Sequence, residues 1–364
     1  MQRKYIIRQR RISYRASDIS LKNELHYGII HLDKLEYVYA KGYQNMEHKY
    51  LEEALSYYNI DASAVVLLRH NENLTYRVGK DYLLQIHKPV EGFSAEYIYE
   101  GLERIAVYKA EIAFQEHLKK QGMQIRETIE NCRGERITKL CDGTLVTVSR
   151  WIEGESLDKI ELNDELCYQI GDMLARLHRD AKGFRTLPVK SYDKHHCEYT
   201  KKRMQALEDK GLDTRFTKIM QRACVSIGIT LEEVQNEFIM LHGDLSPSNI
   251  LKTSNGLVAI DFSFFGIGHP MFDLAVLFGN IGGLARRRKI AEGYRDAGGT
   301  INYKVLDACF VLTLLDCIGI HYEQWSKQDW FEPRMKRWYK ETLQPYVRGE
   351  RLYADDFYLL HVTG

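Results

Sequence analysis

The stretch LHGDLSPSNILKTSNGLVAIDFSFFGIGHPMFDLA, Leu241 to Ala275, carries polar residues that apolar packing does not explain. Asp244 and Asn249 stand five positions apart in a loop broken by Pro247. Asp261 follows the strand-like LVAI, and the Asn255-Gly256 pair between the two suits a turn. Two carboxylates and a side-chain amide on adjacent loops are the groups that phosphoryl transfer from a nucleoside triphosphate demands. One carboxylate orients an attacking hydroxyl and accepts its proton. A second carboxylate and an amide oxygen are hard ligands for Mg²⁺ on the phosphates.

Outward from this segment the pattern divides. Leu162, Leu166, Ile170, Met173, Leu174 and Leu177 fall at three- and four-residue steps and predict a helix with one apolar face. Further upstream, AVVLL (Ala64–Leu68), LTYRV (Leu74–Val78) and YLLQIH (Tyr82–His87) are separated by turn residues and read as an antiparallel meander. ERITKL and TLVTVS flank Cys141-Asp142-Gly143 as a hairpin, because Asp-Gly takes the positive φ of a tight turn. A helix from about Glu103 to Lys120 lies between these strands and ends at Gly122. Downstream of Gly183 the chain is mostly helical apart from the segment Leu241–Pro270. The expected organisation is an N-terminal extension over residues 1–50, a small β-rich N-lobe with one helix over 51–152, and a large, mainly helical C-lobe over 153–364. The fold class is α+β and bilobal. Two lobes imply a cleft, where ligands bind.

Composition narrows the partners. A formal net charge of +1 over 364 residues gives no whole-chain signal for nucleic acid, a membrane surface or strongly cationic substrates. The basic start, MQRKYIIRQRR, lacks the apolar core of a secretory signal, and no stretch reads as a bilayer span. Seven cysteines without a CxxC pair suit reduced thiols in the cytoplasm.

The order HGD-L-x-x-x-N, then I-D-F, then D-L-A resembles the aminoglycoside phosphotransferase and choline kinase superfamily, which is similar in turn to the protein kinases. The resemblance covers about Ser56 to Trp325. It implies a protein-kinase-like fold, with Asp244 as catalytic base, Asn249 and Asp261 as Mg²⁺ ligands, and His242 and Asp273 shaping and bracing the catalytic loop. WIEGESL (Trp151–Leu157) is similar to the family's connector between lobes, which puts Ser149 and Trp151 beside the nucleotide. IGDMLARLHR (Ile170–Arg179) matches the helix before the catalytic loop, and ENLTYRV (Glu72–Val78) the first nucleotide-covering hairpin. The implied reaction moves the γ-phosphoryl group of ATP, or GTP, to a hydroxyl of a small molecule such as an amino alcohol, a sugar or an aminoglycoside. A Ser/Thr protein kinase of the same superfamily and a nucleotide-binding pseudokinase are the alternatives.

The sequence departs from the pattern in two places. Where the family has a basic residue on the third strand, YLLQIH holds Gln85; its expected helix partner is Glu111, ahead of Glu116. Alternation points His87 to the face of Gln85 and Lys88 to the other. In place of a glycine-rich run over the phosphates stand Asn73 and Thr75, which serve equally well as turn residues. Elsewhere the plain reading is preferred. His195-His196-Cys197 reads as a surface loop rather than a metal site, Arg286–Lys289 as a solvated face, and the aromatics from Tyr322 to Tyr339 as helix packing rather than an acceptor surface. His178 and Trp151 read as packing residues.

Overall fold

In the computed structural model, residues 41–70, 72–91, 99 and 101–353 are described, with side chains from residue 49 onward. The chain forms two compact units. Among the described residues, one takes in those up to Glu91 together with Arg126–Ile152, and the other holds those between Glu91 and Arg126 and those from Glu153 to Tyr353.

The first unit opens with helix α1 (Lys41–Ser56), which runs across the boundary expected at residue 50. Strands β1 (Val65–His70), β2 (Leu74–Val78), β3 (Tyr82–Ile86), β4 (Thr138–Lys139) and β5 (Leu145–Arg150) form a five-stranded antiparallel sheet in the order β1-β2-β3-β5-β4. The Asp142-Gly143 turn is present, with Gly143 at φ 90°. Alternation sorts the sheet into two faces. Leu74, Tyr76, Val78, Leu84, Ile86, Val146 and Val148 form the core with Ala54 and Tyr58. The other face carries Thr75, Gln85, Thr147 and Ser149, because Thr75 pairs with Gln85, Gln85 with Thr147, and Leu83 with Ser149.

The second unit holds α2 (Arg104–Lys120), α3 (Asp164–Ala181), α4 (Lys194–Ala206), α5 (Thr214–Glu232), α6 (Met271–Asn280), α7 (Leu284–Asp296), α8 (Tyr303–Trp325) and α9 (Phe331–Trp338). Helix α3 starts where Asn163 accepts the Leu166 amide at 2.9 Å, with Asp164 and Glu165 in its first turn. Its predicted apolar face is buried from Leu166 onward, and Leu162 precedes the helix. Two small sheets hold the segment quoted above. One joins β10 (Gly256–Ala259), β9 (Ile250–Thr253) and β6 (Glu155–Ser156); the other joins β7 (Lys190–Ser191), β11 (Gly266–Gly268) and β8 (Ile239–Leu241).

Four local expectations need correction. The His195-His196-Cys197 segment opens α4 rather than a loop, and His196 is buried with Nε2 2.9 Å from Asp316 Oδ2. No group of three or more His, Cys, Asp or Glu placed to hold a metal ion occurs among the described residues. Arg287 is not on a solvated face: it is 2% exposed and donates to the carbonyls of Ile281 and Phe278, the open end of α6. Helix α8 has the length and composition of a bilayer span, with a mean hydropathy of 1.6, yet most of it is buried inside the protein. An all-round apolar helix is also what a protein core requires. The turn between β9 and β10 is Ser254-Asn255, and Gly256 already pairs with Thr253. The C-terminal aromatics do pack together: Trp325 lies edge-on to Trp330 at 5.5 Å, and Tyr322 to Phe331 at 5.7 Å.

Candidate active site

Strand register assembles the site. Ala259 pairs with Ile250, and the Ile260 amide donates to the Asn249 carbonyl at 2.9 Å, so Asn249 lies across from Ile260 and beside Asp261. Asp261 leaves the strand with φ 66°, the left-handed region that Asp tolerates better than most residues. Its Oδ1 accepts the Ser263 hydroxyl at 3.0 Å.

Asp244 is fixed from both sides. Asn249 Nδ2 donates to the Asp244 carbonyl at 2.8 Å and to its Oδ2 at 2.9 Å. With the amide nitrogen so placed, the Asn249 oxygen is the atom left for a hard cation. On the other side, His242 Nε2 donates to the Ile260 carbonyl at 3.0 Å, and Nδ1 accepts the Asp244 amide at 3.3 Å. One imidazole thereby ties the loop of Asp244 to the loop of Asp261. Burial pushes the His242 pKa down, against the opposing charge of Asp273, which keeps the ring neutral and able to accept at Nδ1.

Gly243 sits at φ 82°, and a Cβ there would come within 1.9 Å of the Phe264 carbonyl oxygen, so the loop can pass only as glycine. Asp273, on the first turn of α6, is fully buried. It receives the His242 amide on Oδ2 at 3.0 Å and the Gly243 amide on Oδ1 at 2.8 Å. Burial raises its pKa, but hydrogen bonds and charge from His178, with help from His242 and the Gly243 amide, hold it below its ordinary value.

Glu111 belongs to the same unit. Phe114, one turn along α2, packs edge-on against Phe262 at 5.9 Å and stacks on Phe265 at 6.4 Å. Burial and then the charge of Asp261 push the Glu111 carboxyl up to about 8 against a bond from Gln115, so Asp261 has a neutral neighbour at neutral pH. The donors fit a divalent cation: a carboxylate and an amide oxygen, held on two loops by backbone bonds.

The remaining candidates lie on the first unit's sheet or directly beside its strands. Asn73 Oδ1 accepts from His87 Nδ1 at 2.9 Å, and His87 Nε2 lies 3.1 Å from Thr147 Oγ1, so His87 takes the face of Gln85. Lys88 turns to Tyr50 instead. Thr75 is 4% exposed and its hydroxyl has no hydrogen-bond partner among the described residues. Ser149 is buried on this face. The Trp151 amide is taken by the Asp81 carbonyl at 2.7 Å, and its ring stacks under the Arg77 guanidinium at 4.3 Å.

Two residues, Thr147 and Tyr294, escaped the sequence reading, and His178, read as a packing residue, also lies within hydrogen-bond distance of Asp273. The LHR triplet at the end of α3 marks His178 as the last turn of an amphipathic helix and carries no sign of a carboxylate 95 residues away.

Comparison with known proteins agrees with the resemblance. The model of the phosphotransferase enzyme family matches residues 64–309. The amicoumacin kinase of Bacillus subtilis (strain 168) is 23% identical over 246 residues, covering 65% of this chain and 68% of that protein. The structure of an amicoumacin kinase with AMP-PNP, Ca²⁺ and Ami superposes with a TM-score of 0.65 at 17% identity, covering 84% of this chain and 96% of the other. A microcompartment-associated aminopropanol kinase gives 0.65 at 18% identity, covering 83% and 98%. The fold is thus protein-kinase-like, and the chain belongs to the phosphotransferase enzyme family.

Proposed function

We propose that this protein transfers the γ-phosphoryl group of ATP, or GTP, to a hydroxyl of a small molecule in the cytoplasm, with Asp244 accepting the hydroxyl's proton. The observation that carries this reading is the joining of Asp244, Asn249 and Asp261 on loops locked together by His242 and Asp273. The bond from Asn249 fixes the plane of the Asp244 carboxylate, as a positioned base requires. Asn249 and Asp261 would hold Mg²⁺, which when bound offsets the charge that develops on the phosphate oxygens. Thr75 and Gln85 on the sheet offer polar groups to the nucleotide. Relatives named for amicoumacin and aminopropanol support a small-molecule acceptor.

A second reading, a pseudokinase that binds nucleotide without transfer, rests on the uncharged Gln85. Labelled ATP offered with a panel of amino alcohols, sugars and aminoglycosides separates the readings. A labelled small-molecule product is expected. Label on protein would favour a Ser/Thr kinase, and nucleotide-dependent thermal stabilisation without any product would favour the pseudokinase.

A further inference from the structure

A line of hydrogen bonds runs from α7 to the backbone just before Asp244. Tyr294 Oη lies 2.9 Å from His178 Nδ1, and His178 Nε2 lies 3.1 Å from Asp273 Oδ2. Asp273 in turn receives the amides of His242 and Gly243. An ionised carboxylate only accepts, so His178 carries a hydrogen on Nε2 and donates to Asp273; in the singly protonated ring Nδ1 accepts and the Tyr294 phenol donates. Burial, followed by the charge of Asp273, raises the phenol's pKa, so that proton stays in place.

The packing of α3 against α7 brings these groups into reach. A Cβ on Gly171 would fall 1.9 Å from the Ile290 carbonyl oxygen, and one on Gly293 would fall 2.0 Å from that of Tyr168. Two glycines, one per helix, let the backbones touch. A Cβ on Gly299 would strike the Tyr294 ring at 2.3 Å, so the ring has its own seat. His178 and Tyr294 are 6% and 2% exposed. Apolar residues of equal volume would fill this interior without the desolvation that buried polar groups incur. What the polar groups add is direction.

We propose that Tyr294 and His178 are positioning residues for phosphoryl transfer: through Asp273 they fix the His242 and Gly243 amides, and with them the place of the Asp244 carboxylate. The proposal rests on Asp244 being the base.

Three variants of the full chain test it. Tyr294→Phe removes only the hydroxyl, His178→Gln keeps an N–H donor toward Asp273, and His178→Leu keeps volume alone. Hydrogen exchange at the His242 and Gly243 amides, measured without nucleotide, should quicken about 10-fold or more in Tyr294→Phe and His178→Leu, and less in His178→Gln. Amides of the five-stranded sheet should not change. For ADP release from Mg-ATP with water as acceptor, kcat should fall about 10-fold in Tyr294→Phe while KM for ATP stays within about twofold. His178→Gln should retain more activity than His178→Leu. A residue that merely filled space would give the reverse order, because Leu packs better than Gln in an apolar interior. Unchanged exchange at His242 and Gly243 in Tyr294→Phe, or Leu tolerated better than Gln, overturns the proposal. Exchange that responds as expected in a protein that binds Mg-ATP but never releases ADP would uphold the positioning line and sink the assignment of Asp244 as base.

Discussion

Thr75 and Asp307 show at single residues how function and stability separate. A buried hydroxyl without a partner costs about 1–3 kcal/mol, and Thr75 meets that description on the sheet face shared with Gln85 and Thr147. Thr75→Val, of nearly the same shape, should stabilise the nucleotide-free protein by about 1 kcal/mol and weaken ATP binding about fivefold. Urea unfolding and calorimetry would check both; a variant that loses stability and binds ATP normally would refute the role. Asp307 accepts Arg351 Nε at 2.7 Å and the Tyr353 amide at 2.9 Å, yet burial outweighs these bonds and pushes its carboxyl up to about 6. The folded protein therefore keeps a proton that an unfolded chain releases near 3.8, and this group's contribution to stability falls as pH rises from about 4 to 6. The loss is on the order of 3 kcal/mol. Asp307→Asn keeps an acceptor and should lack that fall, so the difference between the two unfolding free energies should shift across this interval. Parallel curves would contradict the sign. Asp244, Asn249, Asp261 and Asp273 were legible because they lie within one short segment of recognisable spacing. Asp307 and His178 were not, because their partners stand 44 to 116 residues away and nothing local marks them.

The helix pair α3 and α7 bears the tightest constraint among the elements. With a Cβ on Gly171 aimed at a carbonyl oxygen 1.9 Å away, Gly171→Ala must move one helix backbone, since no side chain there can yield. Overpacking of this kind costs about 3 kcal/mol. It should also slow transfer, because the shift pulls Tyr294 from His178. Thermal unfolding alongside ADP release would check the pairing; a variant as stable and active as the wild type would mean that the crossing is looser than drawn. The strands and α3 were readable from periodicity, since each has one apolar face. Helix α8 was harder to read: apolar on every side, it carries no phase to separate a core helix from a bilayer span. The basic run at 286–289 misled for a related reason. Charge suggests solvent, but Arg287 is drawn inward by carbonyls left open at the end of α6, a demand visible only once the helix end is placed.

At the scale of the whole molecule, ligand binding and stability are linked. A nucleotide that binds only the folded protein should stabilise it by about 2.7 kcal/mol at a hundred times its dissociation constant. If Asp261 holds the cation, the magnesium-dependent part of that stabilisation should disappear in Asp261→Ala, read as the difference in Tm with and without Mg²⁺ at saturating ATP. Equal magnesium dependence in both proteins would remove Asp261 from the metal site. The fold class and the family were legible from the order of strands, helices and one motif, whereas the helix expected in the N-lobe clusters with the second unit. The sheet face that carries Thr75, Gln85, His87 and Thr147 was only partly so, because its hydrogen bonds depend on register across three strands. The most direct test of the account sets binding against chemistry in Asp244→Asn. Calorimetry should give an Mg-ATP affinity within about threefold of the wild type, while phosphoryl transfer to the preferred small-molecule acceptor falls about 10²–10⁴-fold. Transfer at the wild-type rate in Asp244→Asn would contradict it.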